Sequence, residues 1–246
     1  MESKSTKESA CSIGQSRQSP ILIIDDTTCL STLPDIEFAY KTLDVDVKNY
    51  DHHTVKITAP ATRRDPVDPM GSIVVPVNNT PTKYILREVH FHWRSEHKFK
   101  RTGRDPQIDY SMEMHLVHRL PGAEDCSRAF SCVVIGVWID TDSLYPHNFA
   151  FAKIWERLPY LPAVAYVFNA DELLPARESR SYYHYNGSLT TGLAPPFTPN
   201  VLWYMLKTPV QVSKGQLEQY LAVFPDRYDR PVQGTSDPYV LNQMIG

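Results

Sequence analysis

Cysteine and glycine are both scarce in this chain: 246 residues hold four cysteines and ten glycines. Cys11, Cys29, Cys126 and Cys132 show no C-x-x-C spacing. That excludes a cysteine zinc cluster or a dithiol redox motif and leaves buried or free thiols as the expectation. No stretch of about 18 apolar residues occurs, so no membrane-spanning helix is expected. The opening MESKSTKESACSIGQSRQSP is polar and lacks the apolar core of a secretory signal. A cytoplasmic protein is therefore expected, or a secreted one if an upstream signal was removed. Charge of one sign is lacking too. Lys and Arg number 25 against 28 Asp and Glu, a net charge of −3, which removes the electrostatic footprint of a nucleic-acid binder. There is no internal repeat, no low-complexity tract and no long linker. The expected organisation is a flexible arm over 1–15 and one domain over 16–246.

What is present points to strands. Proline is twice as frequent as glycine, 20 against ten, which suits rigid loops between strands better than a helical bundle. Short runs rich in Val, Ile, Tyr and Phe occur at 20–24, 54–58, 72–75, 83–93, 111–118, 131–139, 163–168 and 201–207. These read as strands. Turn clusters such as Arg64-Asp65-Pro66 and Arg104-Asp105-Pro106 separate them. Two segments keep helical spacing: Phe151, Ile154, Trp155 and Leu158, then Leu217, Leu221 and Phe224. Ser213 followed by Gln216 has the form of a capping box before the second. The class is mainly β (α+β), with a few peripheral helices.

One constellation carries chemistry. His90-Phe91-His92 lies in a strand-like run, so His90 and His92 share a face while Phe91 and Trp93 point to the other. A second strand carries Glu113-Met114-His115-Leu116-Val117. If it pairs beside the first, His115 completes a triangle of imidazoles. Three neutral nitrogens at about 2.0–2.1 Å from a zinc ion would leave a fourth tetrahedral position open, the mark of a catalytic rather than a structural site. A neutral ligand set keeps the full field of the metal and brings the pKa of a held water to about 7. A His-x-His pair by itself more often marks surface or hydrogen-bonded histidines. Glu113 shares the face of His115 and could accept its other N–H.

These residues resemble a known family. His90-Phe91-His92-Trp93, Ser95-Glu96-His97 and Glu113-Met114-His115-Leu116-Val117-His118 look like the alpha-class carbonic anhydrases. Gln18-Ser19-Pro20-Ile21, Gly187-Ser188-Leu189-Thr190-Thr191, Val201-Leu202-Trp203 and Arg230-Pro231-Val232-Gln233 match further blocks in the family's order. The resemblance implies a large, twisted, mostly antiparallel central sheet with small helices on its surface. It implies zinc on His90, His92 and His115, and hydration of carbon dioxide to bicarbonate and a proton by a zinc-held hydroxide. By the same resemblance Thr190 would accept a hydrogen bond from the hydroxide and donate to Glu96, and its backbone N–H would support the nascent bicarbonate. Thr191 would line the polar side. Val117, Val134, Leu189, Val201 and Trp203 would form the apolar wall where carbon dioxide rests, although each could equally be ordinary core. His53 falls where the family often places a proton-shuttle histidine. Sulfonamides and small anions would inhibit.

The chain also departs from the pattern. Glu88 stands where the family usually has Gln beside the first ligand, and a carboxylate can still accept that histidine's N–H. Gly192-Leu193-Ala194 intervenes before Pro195-Pro196, and the usual Trp-Gly segment ahead of the first motif is missing. Secreted members often tie an N-terminal cysteine to one just after the Pro-Pro; Phe197 occupies that second position, so that pairing is not available. Asn78-Asn79-Thr80 and Asn186-Gly187-Ser188 have sequon form, and both read as accidental. Two functions compete: the hydratase, and a non-catalytic binding or adhesion module on the same fold. Retention of the three histidines, Glu96 and Thr190 favours the enzyme. A zinc protease is disfavoured by the absence of H-E-x-x-H.

Overall fold

All eight apolar runs form strands. The computed structural model describes residues 17–60, 68–142, 144–191, 197–235 and 240–244. Its strands are β1 (Leu22–Ile24), β2 (Cys29–Ser31), β3 (Glu37–Tyr40), β4 (Leu43–Tyr50), β5 (Thr54–Thr58), β6 (Gly71–Val77), β7 (Thr80–Trp93), β8 (Lys98–Lys100), β9 (Met112–Arg119), β10 (Cys132–Asp142), β11 (Ala163–Phe168), β12 (Tyr182–Ser188), β13 (Pro199–Ser213) and β14 (Leu241–Gln243). Twelve of them form one sheet in the order β11-β4-β5-β7-β9-β10-β13-β12-β14-β2, with β6 also pairing β7 and β3 pairing β6. The pairing is mostly antiparallel, as expected. The exceptions are β10–β13 and β14–β2, which run parallel. Strands β1 and β8 make a separate parallel pair.

The sheet buries both faces. Val89 and Phe91 of β7, Met114 and Leu116 of β9, and Val133, Ile135 and Val137 of β10 join one cluster. Helices α1 (Phe149–Trp155) and α2 (Lys214–Leu221) cover it, and Phe91 meets Trp155 and Tyr220 at ring-centroid distances of 6.2 and 6.3 Å. Asn148 caps α1 by accepting from the N–H groups of Ala150 and Phe151, and Ser213 with Gln216 forms the capping box at α2. Leu158 and Phe224 lie just beyond the helices and pack from the following turns. The opposite face holds a second cluster that includes Ile21, Ile23, Val117, Val134, Tyr185, Val201 and Trp203. The histidines sit on this second face.

The cysteine expectation is overturned. Cys126 and Cys132 form a disulfide with their Cα atoms 5.2 Å apart, and Cys29 is disulfide-bonded as well. The reason is tertiary: the connection from β9 folds back on the start of β10, and six residues of separation carry no motif that announces it. The accidental reading holds for one sequon: Asn186 is buried in β12, whereas Asn78 and Asn79 are exposed in a tight turn at φ 49° and 62°. Residues 1–16, Arg64-Asp65-Pro66 and the Gly192-Leu193-Ala194 insertion lie outside the described residues. No described helix is long and apolar enough to cross a membrane.

Candidate metal centre

Antiparallel pairing of β7 with β9 sets His90 opposite His115 and His92 opposite Glu113. Regular alternation from Glu88 onward puts His90 and His92 on one face, and a bulge at Arg87, between Leu86 and Glu88, changes the facing upstream of it. Without that extra residue, Leu86 would share the histidine face. With it, Leu86, Val89 and Phe91 all reach the helix-covered core. Glu88, Val117, Val134, Trp203 and Tyr185 then lie in one row across five strands, beside the histidine row.

The three rings converge. Centroids lie 5.1 Å apart for His90–His92, 5.2 Å for His90–His115 and 4.5 Å for His92–His115. One nitrogen from each falls within 4.8 Å of the others, and all three residues are buried. The remaining nitrogen of each ring has an acceptor nearby. His92 Nδ1 donates to the Tyr228 carbonyl at 2.9 Å, and His115 Nε2 to Glu113 Oε1 at 2.7 Å. His90 Nδ1 faces Glu88 Oε1 at 3.2 Å, an ion-pair distance without hydrogen-bond alignment. His92 Nε2 is buried without any partner. A donated N–H leaves the other nitrogen unprotonated, which is the form that holds a metal.

Electrostatics agree with neutral rings beside anionic carboxylates. Burial lowers the pKa of His90 and takes that of His115 well below its usual value. The neighbouring histidines push the same way, against Glu88 and Glu113. For Glu88, burial works against ionisation, but the His90 ring and then Lys56 outweigh it and bring its pKa to about 2. Lys56 Nζ lies 3.0 Å from Glu88 Oε2. Glu113 is likewise held well below the usual carboxylate range by His97 and His115, despite burial.

A second compact group, His97, Glu113 and His115, has its facing atoms already hydrogen-bonded to one another or to Tyr185. His97 Nδ1 meets Glu113 Oε1 at 2.7 Å, its backbone N–H donates to Glu113 Oε2 at 2.8 Å, and its Nε2 meets the Tyr185 hydroxyl at 2.7 Å. Tyr185 continues to Ser19 Oγ at 2.7 Å. Gly187 allows this close approach, since a Cβ there would stand 2.7 Å from the rings of both Trp203 and Tyr185.

Beside the histidines lies a cavity of about 500 Å³ whose lining includes His92, Glu96, Thr190, Thr191, Phe197 and Tyr228. Glu96 Oε1 accepts the Arg230 backbone N–H at 2.9 Å, and Glu96 Oε2 is buried with no partner. No hydrogen bond joins Thr190 to Glu96, although both line the cavity. Val117, Val134, Val201 and Trp203 are buried together, with Leu189 packed against them, and Trp203 lies 4.9 Å from the His115 ring. His53 is exposed on the turn between β4 and β5 and stacks on Tyr228 at 4.8 Å. Sequence reasoning missed Tyr228 and Lys56. Tyr228 lies two positions before the matched 230–233 block but carries no motif of its own. Lys56 gains meaning only because β5 pairs it with His90.

Comparison with known proteins agrees with this geometry. The eukaryotic-type carbonic anhydrase family matches residues 2–235. A carbonic anhydrase of Neisseria gonorrhoeae is 31% identical over 226 residues, covering 91% of this chain and 75% of that protein. A carbonic anhydrase of Nostoc sp. is 32% identical over 164 residues, 65% of this chain, and there the match spans only about half of the relative's length, 54%. The alpha-carbonic anhydrase of Thermovibrio ammonificans, solved in complex with the inhibitor sulfanilamide, superposes with a TM-score of 0.70 at 29% identity, covering 92% of this chain and 87% of that one. Buried histidines on paired strands, the fold that carries them and the match along nearly the whole chain lead to one conclusion: this chain belongs to the eukaryotic-type carbonic anhydrase family of enzymes.

Proposed function

We propose that the chain catalyses the reversible hydration of carbon dioxide to bicarbonate and a proton, with zinc held by His90, His92 and His115. The observation that carries this reading is the inward convergence of three buried imidazoles whose outer nitrogens face the Tyr228 carbonyl, Glu113 and Glu88. His92 Nε2, buried and unpartnered, is a donor atom that only a further group could satisfy. A neutral histidine set fits zinc, which when bound would supply the Lewis acidity that makes a nucleophile from water at neutral pH.

The chain's own residues would do the rest. Glu113 and the Tyr228 carbonyl fix the tautomers of His115 and His92. The Thr190 hydroxyl would orient the oxygen that attacks and would turn its own proton towards Glu96 Oε2, an acceptor that has no partner in the structure. The Thr190 backbone N–H steadies the bicarbonate oxygen, with Thr191 on the same polar side. Val117, Val134, Leu189, Val201 and Trp203 offer carbon dioxide a surface with no competing hydrogen bonds. His53, exposed at the turn between β4 and β5, would take the proton out to buffer. Sulfonamides and small anions would occupy the same cavity. The binding-module alternative keeps the fold but has no use for buried ligands with arranged outer partners.

Zinc content and carbon dioxide hydration, measured on the wild type and on His115→Ala, test the reading. The wild type is expected to bind one zinc and hydrate well above background; the variant is expected to lose most of both. Full zinc with no hydration would favour the binding module. Equal activity in the variant would refute the ligand assignment.

A further inference from the structure

Tyr228 is not core. It is half-buried at the cavity and stands in a stack of three nearly parallel rings. Its ring lies 4.8 Å from His53 with 6° between the planes, and 5.4 Å from His92 with 7° between them. The backbone of Tyr228 is pinned on the same side, since its N–H donates to the Trp93 carbonyl at 2.8 Å and its carbonyl accepts from His92 Nδ1 at 2.9 Å. Any residue could make those two bonds. Only an aromatic ring makes the stack.

His53 needs such a support. It follows Asp51 and His52, which hold left-handed conformations at φ 50° and 61°, and its backbone N–H closes the turn onto the Tyr50 carbonyl at 3.1 Å. The backbone is therefore fixed while the imidazole projects into solvent. An exposed side chain normally spreads over several rotamers within nanoseconds. Stacking on a ring that itself lines the cavity selects the rotamers that keep the imidazole beside it.

The geometry points to Tyr228 as a positioning residue for proton export: its ring holds His53 one ring-thickness from the cavity lining. This rests on the reading that His53 carries the proton. The step itself balances simply. The proton released in hydration binds the unprotonated nitrogen of His53, and a proton leaves the ring to a buffer base, returning the neutral imidazole. Tyr228 neither gains nor loses a proton.

The zinc-loaded wild type, Tyr228→Leu, Tyr228→Phe and His53→Ala are compared in weak buffer. Leucine keeps an apolar side chain over His92 and removes the stacking ring. Tyr228→Leu is expected to lower kcat roughly two- to tenfold, the population range that one aromatic contact controls, with kcat/KM unchanged. Added imidazole is expected to restore kcat, and Tyr228→Phe to behave as the wild type. The NMR signals of the His53 ring protons, read with and without metal, are expected to lose their ring-current shift in Tyr228→Leu and keep it in Tyr228→Phe. Should leucine disturb the fold, Tyr228→Asn is read by the same ratios. A Tyr228→Leu enzyme as fast as the wild type, or faster, while His53→Ala is slow would overturn the proposal. So would a His53 ring-current shift that survives the substitution. If His53→Ala is itself as fast as the wild type in weak buffer, it is the assignment of His53 as shuttle that fails.

Discussion

At the scale of single residues, the most informative departure from the family's pattern is Glu88. As a carboxylate beside His90 it places a negative charge where a neutral amide would be usual. Its pKa of about 2 keeps it ionised throughout the working range, so it faces His90 Nδ1 as an anion and cannot donate. That charge is expected to work against formation of the anionic nucleophile, and Lys56 at 3.0 Å offsets part of it. The pH midpoint of kcat/KM in Glu88→Gln is therefore expected to equal that of the wild type or to fall by a fraction of a unit. A higher midpoint in the variant would show that the carboxylate does not act in this way. The shared face of His90 and His92 was legible from strand alternation. Glu113 as partner to His115 was legible from the same period-two argument. The role of Lys56 was not, because it depends on which strand lies next to β7.

At the scale of elements, caps and strand runs are encoded locally, whereas strand pairing is not. The Ser213–Gln216 capping box is a three-residue pattern and appears as expected. Strand β12 lies outside the eight apolar runs because its sequence, YYHYNGS, lacks aliphatic β-branched residues, yet every one of its residues is buried. Strand β4 also lies outside them, although Leu43, Val45 and Val47 alternate with Asp44, Asp46 and Lys48, a plain amphipathic strand. The cysteines belong to this scale too, since the Cys126–Cys132 bond staples the β9–β10 connection to the strand that backs His115. With Cys29 also bonded, we propose that the chain matures in an oxidising compartment rather than in the cytoplasm expected from its opening residues. A short closed loop contributes about 2 kcal/mol, equivalent to about 4–8 °C in a chain of this size. Protein purified without reductant is expected to show no reactive thiol and to lose several degrees of thermal midpoint on reduction. Four titrating thiols, or a midpoint indifferent to reductant, would return the cytoplasmic expectation.

At the scale of the whole molecule, burying histidines on both faces of one sheet makes stability depend on pH. Burial brings His118 to about 3 and His184 to about 4, and backbone carbonyls only partly oppose it. Each keeps one ring nitrogen without a partner. A folded pKa below the unfolded value means that the unfolded chain binds more protons in between. The stability tied to these histidines is therefore complete above about pH 6.5 and is lost as pH falls towards their folded values. Glu88 adds a loss of the same sign between its ordinary value of 4.5 and about 2. Urea midpoints of metal-free protein, which removes any contribution from metal release, are expected to be flat from pH 7 to 8 and to fall steadily below pH 6.5. Equal midpoints at pH 7.5 and pH 4.5 would contradict this.

Within a few residues, alternation, propensity and capping patterns determined the β-rich class, eight of the strands, both helices and the common face of His90 and His92. The resemblance of ordered motifs added the expectation of His115 as third ligand and of the reaction proposed above. Tertiary structure alone decided the bulge that turns Leu86 away from the site, the disulfides, the pairing of Lys56 with Glu88 and the stack of His53 on Tyr228. The physical reason is range. Strand and helix periods are set by neighbours along the backbone, whereas the bond that orients His92 joins residues 136 positions apart. Such a contact exists only because the folded chain brings the segment around Tyr228 against the end of β7.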